Sequence, residues 1–132
     1  MSAPIRVVAA VIEHNGRILI CQRRRGDRFE LKWEFPGGKV QAGETPQQAL
    51  VRELREELNV SAKIGEEIYR TRHLYPEFDR ELELLFFAAT LGPEPTMNRA
   101  FEQIVWAERA RLADYDFLPA DRELVARLSR SS

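Results

Sequence analysis

The stretch from Thr45 to Asn59, TPQQALVRELREELN, leaves a chain few choices besides a helix with one packed side and one acidic side. Thr45-Pro46-Gln47-Gln48 predicts a capping box, with Thr45 as N-cap, Pro46 at the first helical position and Gln48 reaching back. Leu50, Val51, Leu54 and Leu58 recur at helical spacing and form an apolar stripe. Asn59 stands where the chain leaves the helix in a left-handed conformation, which Asn tolerates second only to Gly. The flank beside the stripe carries Glu53, Glu56 and Glu57. Residues three and four apart share a face, so these carboxylates repel and weaken a bare helix. A hard divalent cation such as Mg²⁺ is the natural compensation. The plainer alternative, a solvated acidic face, does not account for what precedes the helix: Gly37-Gly38 and Glu44.

Composition sets the frame. With 132 residues, the chain is expected to form one domain, residues 1–132, with room for a core. The net charge of −1 excludes the basic field that long nucleic acids require, while local Arg and Lys can still hold a free nucleotide. The one cysteine, Cys21, lies in an apolar run, so it is expected to be buried and no internal disulfide can form. No apolar run approaches the ~18 residues of a membrane span, and the N-terminus lacks a cleavage-like segment, so a cytoplasmic location is expected.

Along the chain, strands are expected at Ile5 to Glu13 and Arg17 to Arg23, joined by an Asn15-Gly16 hairpin. Residues 24–32 form a polar loop able to close over a ligand. Trp33-Glu34-Phe35 is a short strand running into a Pro36-Gly37-Gly38 loop. After the helix at roughly 46–58, long strands are expected at Ser61 to Leu74, with a bend at Gly65, and at Arg80 to Thr90. A short strand at Gln103 to Trp106, a short helix at Ala107 to Ala113 and a terminal helix at Asp121 to Leu128 follow, with residues 129–132 fraying. This order predicts a mixed sheet with helices on two faces, and the pattern alone is compatible with an α/β or an α+β single domain.

Gly38, Glu44, Arg52, Glu53, Leu54, Glu56, Glu57 and Val60 fall at the spacing of the Nudix box, and the segment resembles that signature, departing from it only in Asn59 for a glycine. The resemblance implies the Nudix fold, an α/β/α sandwich with a central mixed sheet. It also implies a metal shell from Glu53, Glu56, Glu57 and a carbonyl of the Gly37-Gly38 loop, filled by Mg²⁺ with Mn²⁺ as the alternative. Glu53 would be the catalytic base, Arg52 its holder by a charge-assisted bond, and Glu44 a secondary catalytic or structural acid.

Trp33 through Lys39, WEFPGGK, looks like the MutT-like branch, and most closely its CTP pyrophosphohydrolase-type members. That branch cleaves nucleoside triphosphates, oxidised ones included, to monophosphate and pyrophosphate. Arg23, Lys39 and Arg80 are the candidates for phosphate or substrate contact, and Phe35 and Phe78 for stacking on the base, with a core role as the alternative for each. Asp121 stands where 8-oxo-dGTP-cleaving members have asparagine. An ionised aspartate only accepts hydrogen bonds, which suits the cytosine amine. A buried, protonated one would donate, and an ordinary N-cap is the structural alternative. The glutamate that many relatives place six residues before a late tryptophan is Ala100 here, with Glu102 nearby. The rivals to nucleotide-pool sanitation are a different nucleoside-diphosphate-linked substrate and a non-catalytic nucleotide-binding module. Either a monomer or a homodimer is compatible with the sequence.

Overall fold

A computed structural model describes residues 3–77 and 79–130. Its centre is β1 (Ile5–His14), apolar along almost its whole length. β1 runs parallel to β6 (Glu81–Leu91), which pairs antiparallel with β5 (Ala62–Leu74). On the other side β1 turns through Asn15-Gly16 into β2 (Arg17–Gln22), which pairs with β3 (Trp33–Glu34) and β7 (Gln103–Glu108). β4 (Gly37–Lys39) lies antiparallel on β1. The described residues thus form a mixed, seven-stranded sheet.

Alternation along β1 builds two cores at once, because successive side chains of a strand point to opposite faces. Val8, Ala10 and Ile12 pack under helix α1 (Pro46–Leu58) with Leu50, Leu54 and Leu58. Ala9 and Val11 pack on the opposite face with Phe35, Phe86 and Phe117, and with Leu124, Val125 and Leu128 of helix α2 (Arg122–Arg130). The result is the expected three-layer α/β/α arrangement.

Helix α1 forms over the span expected. Thr45 and Gln48 make the capping box, and Asn59 closes the helix at φ 56° and ψ 40°. The last carbonyls, which have no partner within a helix, accept from the next long loop: Leu58 from Met97 N–H and Glu57 from Arg99 N–H, both at 2.9 Å. Cys21 is buried, and the expected bend at Gly65 is a register shift in the β5–β6 ladder.

Several local expectations are corrected. Val51 is 41% exposed, and Ala49 takes its place in the packed stripe, because the buried face is centred on Leu50, Leu54 and Leu58. Gly37-Gly38 is not a free loop but most of a strand, since residues without side chains can lie close against β1. β7 continues to Glu108, and the segment after it, Arg109–Asp114, is 3₁₀ rather than α-helical. Helix α2 begins after Asp121 and continues through Ser129, whose hydroxyl donates to the Val125 carbonyl at 2.8 Å, to Arg130. The end expected to fray is therefore ordered to Arg130, while 131 and 132 lie outside the described residues.

Candidate active site

Two glycines place α1 against the sheet. A Cβ on Gly37 would collide with the backbone of Val8 and Ala9. One on Gly38 would stand 2.5 Å from the Glu53 carboxyl group. Only glycine permits both approaches. With the chain this close, Gly37 N–H donates to Glu57 Oε1 at 3.1 Å.

The three helix glutamates have different surroundings. Glu53 and Glu57, one turn apart, are half-buried and turn toward the glycine strand, while Glu56 stays exposed. Burial, reinforced by Glu53 and Glu34, pushes the Glu57 carboxyl up to about 9 from an ordinary 4.5. Burial also raises Glu53, against the opposing pull of Arg52. Arg52 donates from Nη1 to Glu53 at 2.9 Å and to Glu56 at 3.4 Å. Its other nitrogens bind Glu44, and Nη2 also reaches the Lys39 carbonyl at 3.1 Å. Glu44 therefore belongs to the scaffold that aims Glu53, and the Arg52 hydrogen bond lowers its pKa.

Among the described residues, no three acidic, histidine or cysteine side chains already converge as a closed metal shell. The donor chemistry nevertheless fits a hard divalent cation. Glu57 offers carboxylate oxygens to an open cavity, with the Glu53 carboxyl group behind Gly38 of its wall, and the repulsion and desolvation that push Glu57 toward neutrality are what a bound cation relieves.

The cavity beside them has a volume of about 500 Å³. Gly37, Gly38, Lys39 and Glu57 line one part of it; Phe29, Phe35, Tyr75 and Asp121 line another. Arg23 also faces it, but its Nη1 binds both Glu34 oxygens at 3.3 Å and its Nε the Arg28 carbonyl at 2.8 Å. Lys39 is exposed at the edge. Phe35 is both core and cavity wall: it is 3% exposed and its ring meets Phe86 and Phe117 at 6.1 and 5.4 Å. Asp121 is 3% exposed, takes a backbone hydrogen bond from Phe35, and is pushed well above the usual aspartate range by burial and by Glu34.

One expectation, Arg80 at the substrate, does not come together here, and Glu102, whose place the sequence left open, stands apart as well. Arg80 does not line the cavity; its guanidinium donates to the Ala3 carbonyl. Glu102 is exposed, does not line the cavity, and accepts from Arg25 N–H at 3.4 Å. Phe78 lies outside the described residues.

Sequence reasoning missed Glu34, Phe29 and Tyr75. Glu34 had a signal: it is a lone acid between Trp33 and Phe35 on a short strand. Folding places it on the cavity, where burial raises its pKa and Arg23 opposes the rise. Phe29 is an isolated aromatic in a polar loop, and Tyr75 directly precedes a proline turn. Neither position implied a cavity wall without the tertiary fold.

A NUDIX domain family model matches residues 3–128. The chain is 37% identical over 125 residues to an 8-oxo-dGTP diphosphatase of Haemophilus influenzae, covering 94% of this chain and 90% of that protein. It is 38% identical over 122 residues to a CTP pyrophosphohydrolase of Escherichia coli, covering 92% and 88%. Among solved structures, the E. coli ORF135 protein superposes with a TM-score of 0.79 at 34% identity, covering 97% of this chain and 94% of that one. The MutT protein from Methanosarcina mazei superposes with a TM-score of 0.84 at 20% identity, covering 98% and 96%, which speaks to the fold alone.

Proposed function

This chain belongs to the NUDIX family, and on that premise we propose that it hydrolyses nucleoside triphosphates, of the (d)CTP or 8-oxo-dGTP type, to monophosphate and pyrophosphate with Mg²⁺ as the metal. The observation that carries the reading is a single cavity with an acidic, glycine-walled part beside α1 and an aromatic part containing a buried carboxyl group. A nucleotide has the matching halves, a charged polyphosphate and a flat base. The named activities of the relatives fall in the same substrate class.

Glu53, Glu56, Glu57 and the Gly37-Gly38 backbone would hold the metal. Bound there, it would neutralise phosphate charge and acidify water. Glu53, whose pKa burial raises above the ordinary value, accepts the proton of the attacking water. That water adds at a phosphorus of the triphosphate as the P–O bond between monophosphate and pyrophosphate breaks. Arg52 fixes the Glu53 carboxylate in line. Lys39 and Arg23 meet the phosphates, Arg23 by exchanging part of its bond to Glu34. Phe35 supports the base, and Asp121 reads its edge. The work would be sanitation of the free nucleotide pool in the cytoplasm.

A nucleotide panel assayed with Mg²⁺ tests this. Pyrophosphate release from CTP, dCTP or 8-oxo-dGTP is expected. Turnover confined to nucleotide sugars or dinucleotides would overturn the substrate class, and binding without turnover would overturn catalysis.

A further inference from the structure

We propose that Tyr75 is a positioning residue for base recognition: its hydroxyl fastens the turn that carries Asp121 and so sets where that carboxyl group stands in the cavity. The inference rests on the reading of Asp121 as the group that contacts the base.

The turn Pro119–Asp121 is three residues of 3₁₀ helix, too short to satisfy its own first N–H groups. Asp121 N–H finds the Leu118 carbonyl at 3.0 Å. Ala120 N–H instead reaches out of the turn to Tyr75 Oη at 3.1 Å, in a buried setting. The two residues are 45 apart in sequence, so this bond joins the end of β5 to the turn before α2. The other side of the turn is tied to β3: Leu118 N–H donates to the Trp33 carbonyl at 3.0 Å, and Trp33 N–H to that of Asp116 at 2.9 Å. Asp121 is thus held from two directions.

Tyr75 is suited to the task because it is held in place itself. It is 4% exposed, and its ring packs on Phe29 and His73 at centroid distances of 5.0 and 4.3 Å. Phe29 sits at φ 60°, a left-handed conformation that a bulky residue adopts only when its surroundings impose it. Phenylalanine at position 75 would keep the ring and the cavity wall. It would remove the hydroxyl that accepts from Ala120 N–H, and that amide would have to turn toward water and take its neighbour Asp121 with it.

The test compares CTP with 8-oxo-dGTP for the wild type, Tyr75→Phe, Asp121→Ala and the double variant. Asp121→Ala is expected to change the ratio of the two kcat/KM values. Tyr75→Phe should move that ratio about tenfold in the same direction. The change should sit in KM, with kcat altered by less than about twofold. In the Asp121→Ala background the tyrosine change should add nothing to the ratio, because two residues acting through one contact are not additive. An unchanged ratio in Asp121→Ala removes the base-reading premise and this proposal with it. A shifted ratio there, but none in Tyr75→Phe, overturns the positioning role alone. So does an equal tyrosine effect in both backgrounds. Should Tyr75→Phe not fold, amide exchange in the wild type decides: protection of Ala120 N–H is expected, and exchange as fast as an open loop overturns the proposal.

Discussion

Arg52 grips Glu44 with two parallel bonds, Nε to Oε2 at 2.7 Å and Nη2 to Oε1 at 2.9 Å, and this fork frees Nη1 to hold Glu53. The geometry needs a planar, forked cation. Lysine offers a single point charge and cannot hold both acids in these positions. Arg52→Lys should therefore lower kcat by roughly 10- to 100-fold with a much smaller change in KM. Steady-state pyrophosphate release checks this; an equal loss confined to KM would point to a substrate contact instead.

The two glycines should fail in different ways. Gly37→Ala forces a methyl group into the backbone of β1, which cannot turn aside, so it should destabilise by about 3 kcal/mol or more. Gly38→Ala first meets the carboxyl head of Glu53, the far end of a side chain rather than backbone, which can rotate away. It should cost about 1 kcal/mol of stability while depressing kcat by roughly 100-fold. Denaturant melts and turnover on the same samples separate the two. Similar stability losses in both variants would contradict the close approach described.

Glu57 makes the metal-free protein sensitive to alkali. Its folded pKa of about 9 stands above the ordinary 4.5, so the folded state holds a proton that the unfolded state has released. The associated stability is fully present below about pH 4.5 and is lost as pH rises toward 9, at no more than about 1.4 kcal/mol per pH unit. With chelator present, Tm should fall across that window. Glu57→Gln should flatten much of the slope and abolish turnover. Added Mg²⁺ should raise Tm most at high pH, where the carboxylate is already free to bind it. A metal-free Tm independent of pH in the wild type would remove the claim.

Asp121 should make base preference depend on pH. Burial and Glu34 raise its pKa well above normal. In its neutral form it can donate to a base; once ionised it only accepts. The kcat/KM ratio of CTP over 8-oxo-dGTP should therefore climb as pH rises. Asp121→Asn, which does not titrate, should hold that ratio flat. A wild-type ratio that stays constant across the range would count against a direct contact.

Much of this was legible in the sequence. Helix α1 was, because Thr45, Gln48, Asn59 and the leucines act within one helix and need no partner to declare themselves. The two-faced sheet was, through the apolar run of β1. The glutamates were named, yet the division of labour among them was not. Spacing puts Glu53, Glu56 and Glu57 on one flank, but only packing against β4 buries Glu53 and Glu57 and leaves Glu56 in solvent. Arg80 was expected at the substrate and instead binds the Ala3 carbonyl, and the sequence left the place of Glu102 open, for the same reason: their directions are set by loops whose paths have no local code. Glu34 and Tyr75 acquire their meaning from Asp121, which is far from both in sequence and reaches them only when the chain closes on itself.

Gly37 and Gly38 are laced into the sheet, whereas Phe29, Tyr75 and Asp121 ride on segments outside its strands. On the proposed reading, the metal-holding end is thus anchored to the frame, and the base-reading end hangs from it. Substitutions confined to those outer segments would then alter which base is preferred and leave the metal-holding end undisturbed.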